Sequence, residues 1–368
     1  MRVLIEFDNR PLLFEDPVCV LECRDASDLA DCCEHVESLL DDGFYVAGFV
    51  SYEAGYALEP RLRGKCGSDF PLMSFGCFRA PRRKRPEYFG RPKYSVNRVE
   101  NASSRSQYTA DIGRIREYIA AGEVYQITYC RKLKFAFSGE PYGLYRQLLR
   151  DQPVPFPAYL EAGRYHILSL SPEMFIRKQG VTAVTRPMKG SWPCGQGWLA
   201  DLLAGHRLAR DPKNRAENVM IADLLRNDLG RIGTGIHVPR LFEAACYRTI
   251  WQMTSTVTAQ VPRELSLQSW LEALFPSGSV TGAPKVRAME IVRELEQEER
   301  KIYTGAIGYI SPERNMFFNV PIRTLLLDGQ QGEMGIGGGI VWDSTADGEW
   351  DEGEWKARFF TRLATGRP

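Results

Sequence analysis

Glu173 and Lys189 can do proton-transfer and nucleophilic chemistry together, because the chain between them folds back on itself. Residues 165–170 and 181–184 bracket a turn at Gln179-Gly180, and a hairpin centred there carries residue 173 opposite about residue 186. The carboxylate and the amine then lie at one end of the hairpin. Three residues of offset amount to about 10 Å along a strand, and Pro187 can bend the chain enough to shorten that gap. A carboxyl group beside an amine can hand over a proton while the amine attacks an electrophile. Taken singly, each residue is more often a solvated surface charge.

Three further carboxylates have helical spacing. Glu217 opens the helical run 216–229, and steps of four place Glu217, Ile221, Leu225 and Leu229 on one face. A carboxylate at the mouth of an apolar surface needs a partner. Glu349 and Glu352 are three apart, and Glu352 leads on to Trp355, Phe359 and Leu363, so both acids can look inward. A plainer reading stands beside this one: Glu352 and Lys356 form an exposed i,i+4 pair, and Glu217 merely favours a helix N-terminus. Spacing leaves the two open.

Composition narrows the classes. The 368 residues, 44% hydrophobic, can build one large or two ordinary domains around a sizeable core. Basic and acidic residues, 47 against 46, leave a net charge of +1, so no global field points to nucleic acid. The dense basic run Arg82-Arg83-Lys84-Arg85 lies beside Pro81, Pro86 and Gly90 and reads as a solvated linker. Nine scattered cysteines without a Cys-x-x-Cys pair, and four histidines, argue for reduced thiols and against zinc, so any metal would be held by oxygen. Glu6 and Asp8 interrupt the short apolar start, which is not the layout of a signal peptide, and no stretch approaches a membrane span. The expectation is a cytoplasmic protein with neither nucleic-acid nor membrane partner.

The elements that must hold these groups read as follows. The first ~90 residues alternate apolar and polar positions, as in 45–52, with one helix near 28–40. A helix at 107–121 precedes a strand at 124–137, and helices follow at 216–229, 267–274, 284–298 and 349–363 with strands among them. Long strands mixed irregularly with helices argue for an α+β fold. Gly335 to Gly339 lacks dinucleotide-motif spacing, and Gly278 to Lys285 lacks the second glycine and the Ser/Thr of a P-loop. Successive glycines between Ile336 and Ile340 let backbone N–H groups approach an anion; a strand with a bulge fits equally well.

Taken together, Ser171-Pro172-Glu173, Pro187-Met188-Lys189-Gly190-Ser191, Gly278-Ser279-Val280-Thr281-Gly282-Ala283-Pro284-Lys285 and Gly335-Ile336-Gly337-Gly338-Gly339-Ile340-Val341 resemble the signature of the chorismate-utilising enzymes. The resemblance runs from about Tyr108 to Leu363, with weaker agreement before it. It implies two large antiparallel sheets packed as a sandwich with helices outside. Residues 1–100 would form its N-terminal part and 101–368 the chorismate-binding catalytic region, intertwined as one domain. It also implies that Glu217, Glu349 and Glu352 hold Mg²⁺, whose remaining positions suit a carboxylate-bearing substrate. Tyr303 and Arg323 would meet the enolpyruvyl carboxylate, the arginine through its planar fork. Gly337, Gly338 and Gly339 would offer N–H groups to a carboxylate, while Ser279, Thr281 and Gly282 line the pocket. Lys285 is expected to support structure.

Two positions choose among branches of the family. Isochorismate and salicylate synthases carry a lysine where this chain has Gln126, and anthranilate synthases carry an alanine where Lys189 stands. Gln126 with Lys189 resembles the branch that makes 4-amino-4-deoxychorismate for folate and p-aminobenzoate. That resemblance makes Glu173 and Lys189 the catalytic pair, with ammonia supplied by a separate glutamine amidotransferase subunit. Gln126 and Gln252 are expected to face the substrate. Gln252 replaces a histidine found widely in the family, and an amide cannot carry a proton near neutrality. Anthranilate synthase component I and a catalytically silent chorismate-binding subunit are the rival readings.

Overall fold

A strand buried on both faces needs apolar side chains throughout, and Tyr45–Val50 meets that demand. Ala47 and Phe49 face one cluster while Val46 and Val50 face another. The alternation expected for the early chain is therefore only half of what this strand shows. The structure, a computed structural model, describes residues 1–62, 69–88, 90, 93–193, 197–247 and 250–365.

Two antiparallel sheets organise the chain, one of nine strands and one of ten. Toward one edge of the first, Gln126–Gly139 pairs with Gln331–Ile340 along ten residues of register, Ile127 opposite Ile340 to Ala136 opposite Gln331. In the second, Met174–Gln179, Thr182–Arg186, Ile250–Gln260 and Met188–Pro193 are successive neighbours. Val3, Ile5 and Phe156 from the first sheet pack between the sheets against Phe49, Ile307 and Phe317 from the second. Fully burying one such side chain stabilises the fold by about 1.5–3 kcal/mol. The helices Leu29–Asp41, Pro212–Gly230 and Leu267–Leu274 cover the outer face of the ten-stranded sheet. Pro141–Asp151 and Ala346–Thr365 cover the other. This is the α+β sandwich with outside helices that the resemblance implied.

Local signals explain where the functional elements begin. The hairpin turns at Gly180, with φ +59°, and its loop is Gly180-Val181, since Gln179 pairs with Thr182. A ladder shift between Met174 and Arg177 then takes back part of the offset, so Met174 pairs with Arg186, one residue from the expected register. Glu217 does not open its helix. Asp211 caps it by accepting from Asn214 N, and Pro212 takes the first turn, so Glu217 stands in the second turn. The predicted face does hold: Ile221, Leu225 and Leu229 are all buried.

Three expectations outside the site resolve here. The basic run is exposed to solvent, as expected, and two of its members also pair, Arg82 with Glu15 at 3.3 Å and Arg85 with the buried Glu6. Seven cysteines are free thiols, while Cys66 and Cys194 lie outside the described residues. Lys285 is structural: its Nζ lies 2.6 Å from Asp228 and also donates to Leu274 O at 3.3 Å. Losing either partner of such a pair leaves a buried charge that costs about 3–5 kcal/mol, so it fixes the segment before Lys285 against Pro212–Gly230.

Candidate active site

The two sheets part at one end around a cavity of about 550 Å³. The ten-stranded sheet sends Glu173, Lys189 and Gln252 into its wall, and the nine-stranded sheet sends Thr128 and Gly335 to Gly339. Lys213, Asn214 and Glu217 come from Pro212–Gly230; Glu349, Glu352 and Lys356 come from Ala346–Thr365. Ser279, Tyr303 and Arg323 close the remainder. These elements are far apart in the chain, which is why spacing alone left the residues open.

Glu173 is buried, and its Oε1 accepts from Ser279 Oγ at 2.5 Å. Its backbone N–H donates to Ser171 Oγ, which in turn bonds Val320 O. Burial pushes the carboxyl up to about 7, against the Ser279 hydrogen bond and the charge of Lys189, which favour ionisation. Burial also lowers the Lys189 amine, opposed by Glu217 and Glu173. No ion pair within 4 Å joins Lys189 to either acid among the described residues. Both shifts move the pair toward its neutral forms, a carboxylic acid and a free amine.

The acidic wall carries its own counter-charges. Glu349 accepts from Ser344 Oγ at 2.6 Å, and burial followed by the neighbouring Glu352 affects it, the serine bond opposing both. Lys356 lies 2.8 Å from Glu352, which it holds below the usual carboxylate range, and donates to Gly337 O at 3.0 Å. The plain i,i+4 pair is thus real, and it forms on the cavity wall. Burial raises Glu217, with Lys189 and Lys213 opposing.

Three expected pocket residues stand behind the wall. Thr281 is buried and its hydroxyl donates to Ser277 O at 3.1 Å. Gly282 pairs with Ile127, and a Cβ there would meet Gln126 O at 2.3 Å, so glycine is required by the ladder. Gln126 is fully buried with neither amide atom bonded. It approaches the site beside Gly339, where a Cβ would lie 2.5 Å from Gln126 Nε2 and 3.0 Å from Lys189 Nζ. The glycine run itself is a paired strand, yet Gly337, Gly338 and Gly339 do face the cavity. Gln252 faces it as well, with its buried Oε1 unbonded.

Sequence reasoning missed Lys213 and Thr128, and read Lys356 only as a surface partner. Lys213 sits four before Glu217 and Lys356 four after Glu352, so the helical spacing carried both signals. No three His, Cys, Asp or Glu side chains among the described residues converge closely enough to hold a metal by themselves. The oxygen donors of Glu217, Glu349 and Glu352 on one cavity fit a hard cation that draws its other ligands from water and substrate.

The sequence profile of the family described as chorismate binding enzyme matches residues 14–362. The chain belongs to the chorismate-binding enzymes. The match starts well before Tyr108, so the family pattern extends further into the first hundred residues than the motifs alone suggested. Aminodeoxychorismate synthase component 1 of Escherichia coli is 40% identical over 251 residues, 68% of this chain and 55% of that protein. Anthranilate synthase component 1 of Pseudomonas aeruginosa is 36% identical over 68% of this chain and 51% of its own length. The chain thus spans about half the length of the curated relatives it matches. Among solved structures, anthranilate synthase component I of Streptococcus pneumoniae superposes with a TM-score of 0.81 at 24% identity, covering 97% of this chain and 92% of that one. The menaquinone-specific isochorismate synthase of Escherichia coli gives 0.80 at 16% identity, covering 99% and 88%. At those identities the likeness concerns the fold, which they share with this chain.

Proposed function

We propose that this chain is the aminating component of an aminodeoxychorismate synthase, converting chorismate and ammonia to 4-amino-4-deoxychorismate on the route to p-aminobenzoate and folate. The observation that carries this reading is Lys189 and Glu173 on the wall of one cavity, where burial lowers the amine and raises the carboxyl. The amine attacks C2 of the chorismate ring, both ring double bonds shift by one bond to C1=C6 and C4=C5, and the C4–O bond breaks as Glu173 protonates the departing hydroxyl to water. Ammonia then forms the C4–N bond, both double bonds shift back, and the C2–N bond to Lys189 breaks. Glu173 takes up the proton that ammonia sheds. Two displacements replace one difficult substitution.

Arg323 and Tyr303 hold the enolpyruvyl carboxylate, and the buried Gln252 Oε1 accepts a hydrogen bond from the ligand without moving a proton. Glu217, Glu349 and Glu352 would hold Mg²⁺, which supplies neutralising charge to the substrate's carboxylates. Replacing Glu217 by glutamine should weaken Mg²⁺ binding about tenfold or more. Titration with Mn²⁺, followed by electron paramagnetic resonance, checks this without turnover, and an unchanged binding curve removes Glu217 from the metal site.

Ammonia is delivered by a separate glutamine amidotransferase, an arrangement supported by relatives named as a first component. The purified chain should therefore aminate chorismate with Mg²⁺ and ammonium chloride, and not with glutamine alone. Mass spectrometry of the product decides the matter. Anthranilate, favoured by the 36% identical relative, would replace this reading with the other.

A further inference from the structure

The turn Gly278–Val280 is held from several sides. Arg300 Nη1 donates to Val280 O at 2.9 Å, Thr281 Oγ1 donates to Ser277 O at 3.1 Å, and a Cβ on Gly278 would lie 2.5 Å from Leu224 Cδ2. The Lys285–Asp228 pair anchors the chain just beyond it. Inside this rigid frame Ser277 Oγ lies 2.9 Å from Ser279 Oγ, and Ser279 Oγ lies 2.5 Å from Glu173 Oε1. All three side chains are buried. A hydroxyl has one proton to give. Once Ser279 commits its proton to Oε1, it can only accept from Ser277, so the chain of donors runs one way.

We infer that Ser279, backed by Ser277, is a positioning residue for Glu173 and not a ligand of the substrate: the Ser279 hydroxyl, oriented by Ser277, occupies Oε1 and leaves Oε2 to carry the acid proton. The inference rests on Glu173 being the proton donor of the proposed reaction. The contacts of Ser279 favour it, because its one donor is spent on the carboxyl and its acceptor on Ser277, leaving little for a ligand. Other groups face Glu173 from every side. Lys189 and the Met188 N–H come from Met188–Pro193, while Tyr303, Arg323 and Glu217 lie around the cavity. Lys189 and the hydrogen bonds favour the ionised form and burial opposes it. Deleting one donor therefore weakens the ionised form and makes Glu173 a poorer acid.

The test is the pH profile of ammonium-dependent amination. Ser279→Ala should move the alkaline limb, set near 7 by Glu173, upward by about one unit, the worth of a hydrogen bond to a charged group. KM for chorismate should change less than about twofold, since no binding contact is lost. Ser277→Ala, which leaves the cavity wall untouched, should shift the limb in the same direction by less, and Ser279→Thr should restore it. A raised KM with an unmoved limb would show a substrate ligand and overturn the inference. If Ser279→Ala turns over too slowly to profile, carbon NMR of labelled glutamate, assigned with Glu173→Gln, reads the same titration directly. An unshifted Glu173 resonance then overturns it. Failure of the amination reading would show in the product alone and leave that titration standing.

Discussion

Lys189→Met should abolish amination of chorismate, with a loss on the order of 10³-fold or more, while chorismate still binds with nearly unchanged affinity. The side chains match in length, so the cavity keeps its shape and loses only the nucleophile. Its strand is held independently of the amine, since Asn218 Nδ2 donates to Lys189 O at 3.2 Å. Intact-mass measurement with chorismate and Mg²⁺, ammonia withheld, should show an adduct on the unaltered chain and none on the variant. The bond is a secondary amine, so borohydride is not needed to trap it. Full amination by the variant would reduce Lys189 to a bystander.

Glu173→Gln should lower turnover by about 10²–10⁴-fold, the usual reach of a positioned acid. The sign of the pH effect follows from the direction of each shift. Glu173 works in its protonated form, and burial raises that carboxyl to about 7, so activity that depends on it falls as pH rises through 7. Lys189 works deprotonated, and burial lowers its amine from the ordinary lysine range, so its limb rises with pH. The unaltered chain should give a bell, and the residual rate of Glu173→Gln should keep only the rising limb. A bell retained in that variant would assign the falling limb to another group.

How much of this could be read from the chain depends on what each signal encodes. The turn near Gly180 brought Glu173 and Lys189 together because strand pairing is local; the offset of one residue at Met174 is left by a loop centred one residue later and a ladder shift that no distinctive residue type announces. The start of the helix bearing Glu217 was legible in Asp211-Pro212 and was placed too late by following apolar periodicity instead of the cap. Thr281, Gly282 and Gln126 were assigned to the cavity because a motif gives membership without direction. Strand pairing puts Gly282 and Ala283 against Ile127 and Gln126, and the Gln126 amide ends in the space beside Gly339 that Lys189 Nζ also approaches. Lys213 and Lys356 obeyed helical spacing, yet only tertiary packing shows that the shared face looks into a cavity and not into solvent. The two-sided burial of Tyr45–Val50 was likewise invisible, since a second covering layer comes from distant sequence.

That strand has a bearing on how the molecule is made. One neighbour, Met73–Phe78, follows it within a few dozen residues, but the other, Ala306–Ile310, comes more than two hundred and fifty residues later. At ribosomal speeds of about 5–20 residues per second, the growing chain waits roughly 10–50 seconds for it. Until then Val46, Phe49 and Val50 belong to an open sheet edge, the kind of surface that joins to a stranger's strand as readily as to its own. The hazard of this architecture is therefore concentrated in nascent chains crowded on one messenger, and slower initiation or an early chaperone would relieve it without altering a residue.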